Sequence, residues 1–440
     1  MRVSTARLKP SHALMAARAL CMALLLGAAP APARELVAKA ERIQQGPLVA
    51  EGVELTLQAA QQPGAGLGLQ MRMQRLDVAA LGFAHSRLDW RCELRPRDVD
   101  VWRCAGPLRS EAGNLGELAL DFDRGTTELA LLRGRARLQA VLPAEQQGAI
   151  GLQAERVPAE WLQPMLSTLW SQARLTGGFI SADLDLDLAL DVPRIEGDLR
   201  AEGLGVDTED GQVAAAGLEL QGRMGIELGE AGRIGLELAL SGGELLAGAV
   251  YVALPAQPVR LELDAQQQSG RWNVERMVWD DPEALRVEAS GELDFALDDA
   301  LVGARLQVAS RRADVLVSRY LDSILGTVGL PGLQANGGLG LTAQWDAGTL
   351  QKLHLEPDQL SLIDGQARFE LGGLDGAVGF TRTDAASSNR ISFERLRLYG
   401  LEFEPGALDW SSSGGELRLQ RPARRGLRGG ALPIETVRWD

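Results

Sequence analysis

The chain has 440 residues, 45% of them apolar and 24% charged, with a formal net charge of −14. That composition permits a sizeable buried core and excludes a disordered, collagenous or polytopic membrane protein. The acidic balance argues against a general nucleic-acid binder, because phosphate contacts need a basic face. Aromatic residues are only 5%, so the core must be built mainly from Leu, Val and Ala.

The first residues read as a secretory signal. Arg2, Arg7, Lys9 and Arg18 form a basic start with no acidic residue. A short apolar run, Ala19 to Ala29, follows, and Ala31-Pro32-Ala33 offers a small-residue cleavage site. The run is too short for a bilayer span, which needs about 20 residues. The expectation is a signal peptide over residues 1–33 and a periplasmic, possibly membrane-associated location; an uncleaved short anchor is the alternative. Cleavage would leave 41 basic and 59 acidic residues.

Cys21 lies inside the signal, with Arg18-Ala19-Leu20 before it rather than a lipoprotein box. The remaining pair, Cys92 and Cys104, sits in matching frames, Trp90-Arg91-Cys92 and Trp102-Arg103-Cys104. Between them Arg95-Pro96-Arg97-Asp98 is a turn signal. Two strands folding back would bring the cysteines face to face as a structural disulfide, favoured by export and contributing about 3 kcal/mol. A redox or metal pair is the weaker alternative, since there is no C-x-x-C and only His85 is near.

From about residue 50 the dominant hydrophobic period is two. Asp183-Leu184-Asp185-Leu186-Asp187-Leu188 alternates cleanly, as do Ile234 to Leu238 and Val259 to Asp264. Gly-rich breaks recur, for example at Ser241-Gly242-Gly243 and Asp346-Ala347-Gly348. The pattern predicts a mostly β protein: an elongated antiparallel sheet curled into a groove or an open barrel-like sandwich. Two short amphipathic helices interrupt it. Residues 158–172 place Trp161, Leu162, Met165, Leu166, Leu169 and Trp170 on one stripe, with Pro158 in the first turn. Residues 313–326 do the same with Val317, Tyr320, Leu321, Ile324 and Leu325. Each leads to a double glycine, Gly177-Gly178 and Gly337-Gly338. An internal repeat and two unrelated helices capping sheet ends are both compatible with this. The breaks divide the chain into residues 34–155, a β section with the disulfide hairpin; 156–311, a helix plus strands; and 312–440, a second helix plus strands. Arg421, Arg424, Arg425 and Arg428 make a basic Gly-rich stretch, a solvated loop or a contact for acidic lipid head groups.

Catalytic patterns are missing. His85 and His354 stand in unrelated strand-like settings, and there is no G-x-S-x-G, P-loop or H-E-x-x-H. Asp183-x-Asp185-x-Asp187 departs from a calcium loop by its intervening leucines and by Leu188 at position six. Asp280-Asp281 and Asp298-Asp299 are adjacent carboxylates in turn-like settings. The expectation is therefore no enzyme, with no catalytic, metal or cofactor residues and no cofactor. An apolar sheet face left partly open is a trough suited to acyl chains. An outer-membrane barrel would want aromatic girdles, which the composition does not supply.

Strands of the form Gly197-Asp198-Leu199-Arg200-Ala201 and Gly291-Glu292-Leu293-Asp294-Phe295 resemble those of the periplasmic AsmA-like proteins, including the TamB and YdbH branches. So do Pro158-Ala159-Glu160-Trp161-Leu162 with Gly177-Gly178, and Tyr320-Leu321 with Asn336-Gly337-Gly338. The resemblance covers roughly residues 155–420. It implies a repeating β-groove, a hydrophobic channel, and lipid movement between the two membranes of Gram-negative bacteria. Partners implied are envelope lipid or phospholipid acyl chains. The alternative is a structural or interaction protein with a closed β core, binding envelope proteins as a scaffold or type II secretion accessory.

Overall fold

The computed structural model describes residues 35–434, except 46–47, 60–65, 99, 124, 144–149, 188–191, 228–230, 295–300, 384–386, 421–422 and 428–429. For residues 45, 80, 143, 169 and 423–434 the backbone alone is considered. The expected signal peptide, Cys21, Leu188, Asp298-Asp299, Arg421 and Arg428 lie outside the described residues.

The chain is mostly β, antiparallel, and not closed into a barrel. It separates into two units: one runs to Glu209 and includes Arg223–Gly229, the other takes Asp210–Gly222 and the chain from Glu230 on. The first unit holds β1 (Glu35–Gln45), β2 (Leu48–Gln58), β3 (Leu67–Val78), β4 (Phe83–Pro96), β5 (Trp102–Ser110), β6 (Gly113–Phe122), β7 (Thr126–Arg133), β8 (Ala136–Pro143), β9 (Ile150–Pro158), β10 (Ala173–Asp187) and β11 (Arg194–Thr208). Each pairs with the next, a continuous meander. The residues of β12 (Val213–Glu227) are divided between the units.

The second unit continues with β13 (Arg233–Ser241), β14 (Glu244–Ala247), β15 (Val250–Ala253), β16 (Val259–Gln268), β17 (Arg271–Asp281), β18 (Leu285–Leu293), β19 (Leu301–Ser310), β20 (Gln334–Asp346) and β21 (Thr349–Ile363). Then come β22 (Phe369–Gly376), β23 (Val378–Thr381), β24 (Ser387–Phe393), β25 (Arg395–Leu398), β26 (Leu401–Phe403), β27 (Gly406–Ser413), β28 (Glu416–Leu419), β29 (Ala423–Leu427) and β30 (Gly430–Ile434). The ladder runs β13–β16–β17–β18–β19–β20–β21 and branches at β22, which meets β21, β24 and β25. Beyond the branch the apolar side chains are covered: Leu360, Leu374 and Phe393 pack with Ala313, Val317 and Ala335 in one buried cluster.

Both helices are shorter or less regular than the apolar stripes predict. In the first unit a 3-10 turn (Ala159–Leu162) leads into α1 (Gln163–Leu169). Pro158 is not in the helix; its backbone is extended and it ends β9, paired with Phe179. Pro164 occupies the first turn of α1 instead, where its missing N–H costs nothing. In the second unit α2 (Ala313–Leu316) passes through a π-type turn (Val317–Leu321) into α3 (Asp322–Thr327).

The double glycines are β-bulges. Gly178 has φ +101°, and a side chain there would meet the Leu204 Cα at 2.7 Å. Gly337 has φ +104°, and a side chain would meet the Gln359 carbonyl oxygen at 2.4 Å. The ladder register shifts at both places. Only glycine accepts that backbone and that approach, so each helix re-enters its sheet through a kinked strand.

Candidate functional site

Strand pairing gives each unit one apolar and one polar face, because directly paired residues project to the same side. In the first unit an apolar row crosses eight strands: Leu67, Leu94, Cys104, Leu120, Leu129, Ala140, Leu152 and Leu184. A second row runs Leu118, Leu131, Leu138, Ala154, Ala182 and Leu199. The reverse face carries Arg103, Asp121, Glu128, Asp185 and Glu196. In the second unit one row is Leu238, Leu261, Trp279, Val287, Val308, Leu341, Leu355 and Val378. Its neighbour is Leu236, Leu263, Met277, Ala289, Leu306, Ala343, Leu353 and Phe380.

These rows are not a sealed core. Cys104 is fully buried, but the other seven residues of the first row and all eight of the Leu238 row are half-buried. An apolar face with residual exposure along its whole length is a surface for apolar ligands rather than a finished interior.

Each sheet also curls. Helix α1 follows β9, yet it packs on the turn between β3 and β4, where a side chain on Gly82 would strike the Pro164 carbonyl oxygen at 2.4 Å. Five strand spacings separate β4 from β9, about 24 Å if the sheet were flat. A seven-residue helix is only about 10 Å long, so the sheet itself must bend to close that end. Gln163 fixes the helix in place: its side-chain amide donates to the Ala173 carbonyl (2.9 Å) and accepts from the Leu175 N–H (2.7 Å). In the second unit α3 follows β19 but reaches the β14–β15 hairpin, where Ser323 donates to the Ala249 carbonyl (2.8 Å) and accepts from the Tyr251 N–H (3.2 Å).

The second helix is held by a buried polar lock. Asp281 falls two residues beyond Trp279 on β17, on the apolar side, and is only 2% exposed. Its carboxylate accepts from Arg319 (2.6 Å), from the Tyr320 hydroxyl (2.9 Å) and from the Glu283 N–H (3.0 Å). Tyr320 in turn accepts from the Trp279 indole (3.0 Å). Burial, with the bond to Asp281, pushes the Tyr320 phenol well above its ordinary range, so it stays a donor. Burial lowers the affinity of Arg319 for its proton, but the bonds to Glu283 and Asp281 outweigh it and the guanidinium is held charged. Sequence reading noticed Asp280-Asp281 only as adjacent carboxylates. Their parity was the available signal: Asp280 points to the polar side, 3.4 Å from Arg286, so the two carboxyls do not act together.

The cysteines are bonded. They are not opposite one another, as the hairpin reading predicts: Cys104 pairs with Leu94, so the bridge is diagonal. Pro107 has no N–H, and the ladder is interrupted between Trp90 and Glu93. Gly106 lets the strands close at that gap, since a side chain there would overlap the Arg91 carbonyl. The buried Trp90 indole donates to the carbonyls of Gly106 (3.2 Å) and Leu118 (3.0 Å). The bridge therefore belongs to a local core beneath the apolar row.

The remaining polar candidates stay dispersed. Asp183 and Asp185 are exposed and face Asp198 and Glu196. His85 pairs with Leu76 in the first unit, and His354 contacts Glu356 (3.0 Å) in the second. Among the described residues no group of three or more His, Cys, Asp or Glu could hold a metal ion, and no helix is long and apolar enough to cross a membrane. No protein-family model matches the chain, and no curated protein matches it.

Proposed function

We propose that this is a periplasmic, non-enzymatic protein of the Gram-negative envelope whose apolar β-faces bind or transfer lipid acyl chains, in the manner of the AsmA-like proteins it resembles. The observation that carries the reading is the unbroken, half-exposed apolar row crossing eight strands in each unit. An acyl chain lying across those leucines would remove apolar surface from water at about 25 cal/mol per Å². It would ask for no specific hydrogen bond, which suits a face without polar side chains. The helices support the reading by narrowing one end of each curled sheet.

Native mass spectrometry of the mature protein from a periplasmic extract tests it. Bound phospholipid or fatty acid is expected. A bare polypeptide mass that persists after incubation with envelope lipids would discard the lipid reading in favour of a scaffold or secretion accessory.

A further inference from the structure

At the helix end of the second unit three connections are tied together. Arg368 donates to the Gly329 carbonyl (2.7 Å), and the Tyr399 N–H donates to the Arg368 carbonyl (2.6 Å). Arg368 is itself clamped by Asp364 through its backbone N–H (3.0 Å) and its guanidinium (2.7 and 2.8 Å). This platform presents apolar side chains to water: Val328 is 63% exposed, Leu401 56% and Tyr399 80%. Leu398 and Leu401 pair with each other, and Leu398 with Phe369, extending outward the face whose inner residues Leu371 and Leu396 pack on the buried cluster. The same apolar face is therefore covered at its root and bare at its tip.

What adjoins the tip is basic. Strand β26 pairs with β29 at Phe403 and Leu427. Residues 421–434 contain four arginines and no acidic residue, in a chain of net charge −14. Arg424 and Arg425 lie on β29 itself. Screening confines electrostatics to about 8 Å at physiological salt, so an approaching surface feels the local charge and not the chain's total. A strand with cations and no anions complements a uniformly negative surface better than the mixed charges of a protein. Tyrosine beside leucine is a side-chain pair that suits the boundary between head groups and acyl chains.

We propose that this tip docks the second unit on an anionic lipid bilayer, with Tyr399 and Leu401 entering the head-group layer and the β29–β30 hairpin supplying the attraction. The proposal concerns the protein's outer contact with a membrane and stands apart from what the apolar faces carry. Flotation of the mature full-length protein with phosphatidylcholine vesicles, with and without phosphatidylglycerol, tests it. We expect at least about tenfold stronger binding to the anionic vesicles, weakened by added salt. Tyr399→Ser with Leu401→Ser, and separately Arg424→Gln with Arg425→Gln, should each lower that binding about tenfold. Circular dichroism melts of the first pair should be unchanged, because both side chains are exposed. Equal binding to both vesicle types, or variants that bind like the parent, would overturn the proposal. So would a concentration-dependent dimer that Leu401→Ser abolishes, since the tip would then serve a second copy. Lipid retained by the variants in native mass spectra keeps this outcome separate from the fate of the groove reading.

Discussion

The connection from β9 to β10 and that from β19 to β20 perform the same step by different means. Both leave a strand, form a short helix over a curled sheet, and return through a glycine bulge of almost equal φ. The strand facing each bulge also has a left-handed residue, Gly203 in one case and Gln359 in the other. The internal-repeat reading thereby gains a geometric counterpart. The anchors differ. Helix α1 is held by neutral hydrogen bonds from Gln163 and by contact with the β3–β4 turn. The α2–α3 helix is held by a charged lock on Asp281 and by an apolar cluster. A bulge is demanded by chain geometry and has few substitutes, whereas any sufficiently satisfied set of contacts can hold a helix down.

The largest expected effect comes from breaking the charged anchor. Arg319→Ala leaves the buried Asp281 carboxylate without its cation and should lower stability by about 3 kcal/mol. Hydrogen exchange should localise the loss to β17 and the α2–α3 helix; protection there equal to the parent's would rule the lock out as an anchor. In the first unit Cys92→Ala should cost about 3 kcal/mol by releasing the loop constraint. An unchanged melting temperature, or two free thiols in the exported protein, would count against a structural bridge.

The bulges test whether the two connections are equivalent. Gly178→Ala and Gly337→Ala should each destabilise by about 2 kcal/mol through left-handed strain and backbone overlap. A large cost at one and none at the other would end the equivalence. Gln163→Ala, which strips two backbone partners from the neutral anchor, should cost about 1 kcal/mol in urea titration. A loss matching that of Arg319→Ala would erase the contrast between anchors.

The smallest effect is a pH dependence confined to the second unit. Asp364 is buried, and Arg368 holds its carboxyl down at about 2. The unfolded value is about 3.9, so this stabilisation is complete above that pH and fades as pH falls through about 2. Urea midpoints taken between pH 5 and pH 2 should fall less steeply for Asp364→Asn than for the parent; parallel curves would show that Asp364 does not contribute.

Period-two alternation made the fold class legible. Side chains on a strand alternate faces whatever the partner strand is, so Leu184 and Leu186 against Asp183 and Asp185 already declare one apolar and one polar side. The glycine pairs and the cysteine hairpin were legible for a similar reason: backbone restriction and disulfide chemistry act over a few residues. Local sequence did not reveal how the rows join across strands, because register depends on pairing partners far along the chain. It misassigned Pro158, whose stripe position looked helical until pairing with Phe179 drew it into β9. Nor did it single out Asp281: a carboxylate at an apolar parity becomes a lock only when Arg319 and Tyr320 arrive from 38 and 39 residues away. The bare tip at Tyr399 likewise exists because three distant turns are bonded into one platform. Alternation belongs to each strand by itself, whereas closure, exposure and charge pairing are properties of the curled sheet, and they appear only when the strands are assembled.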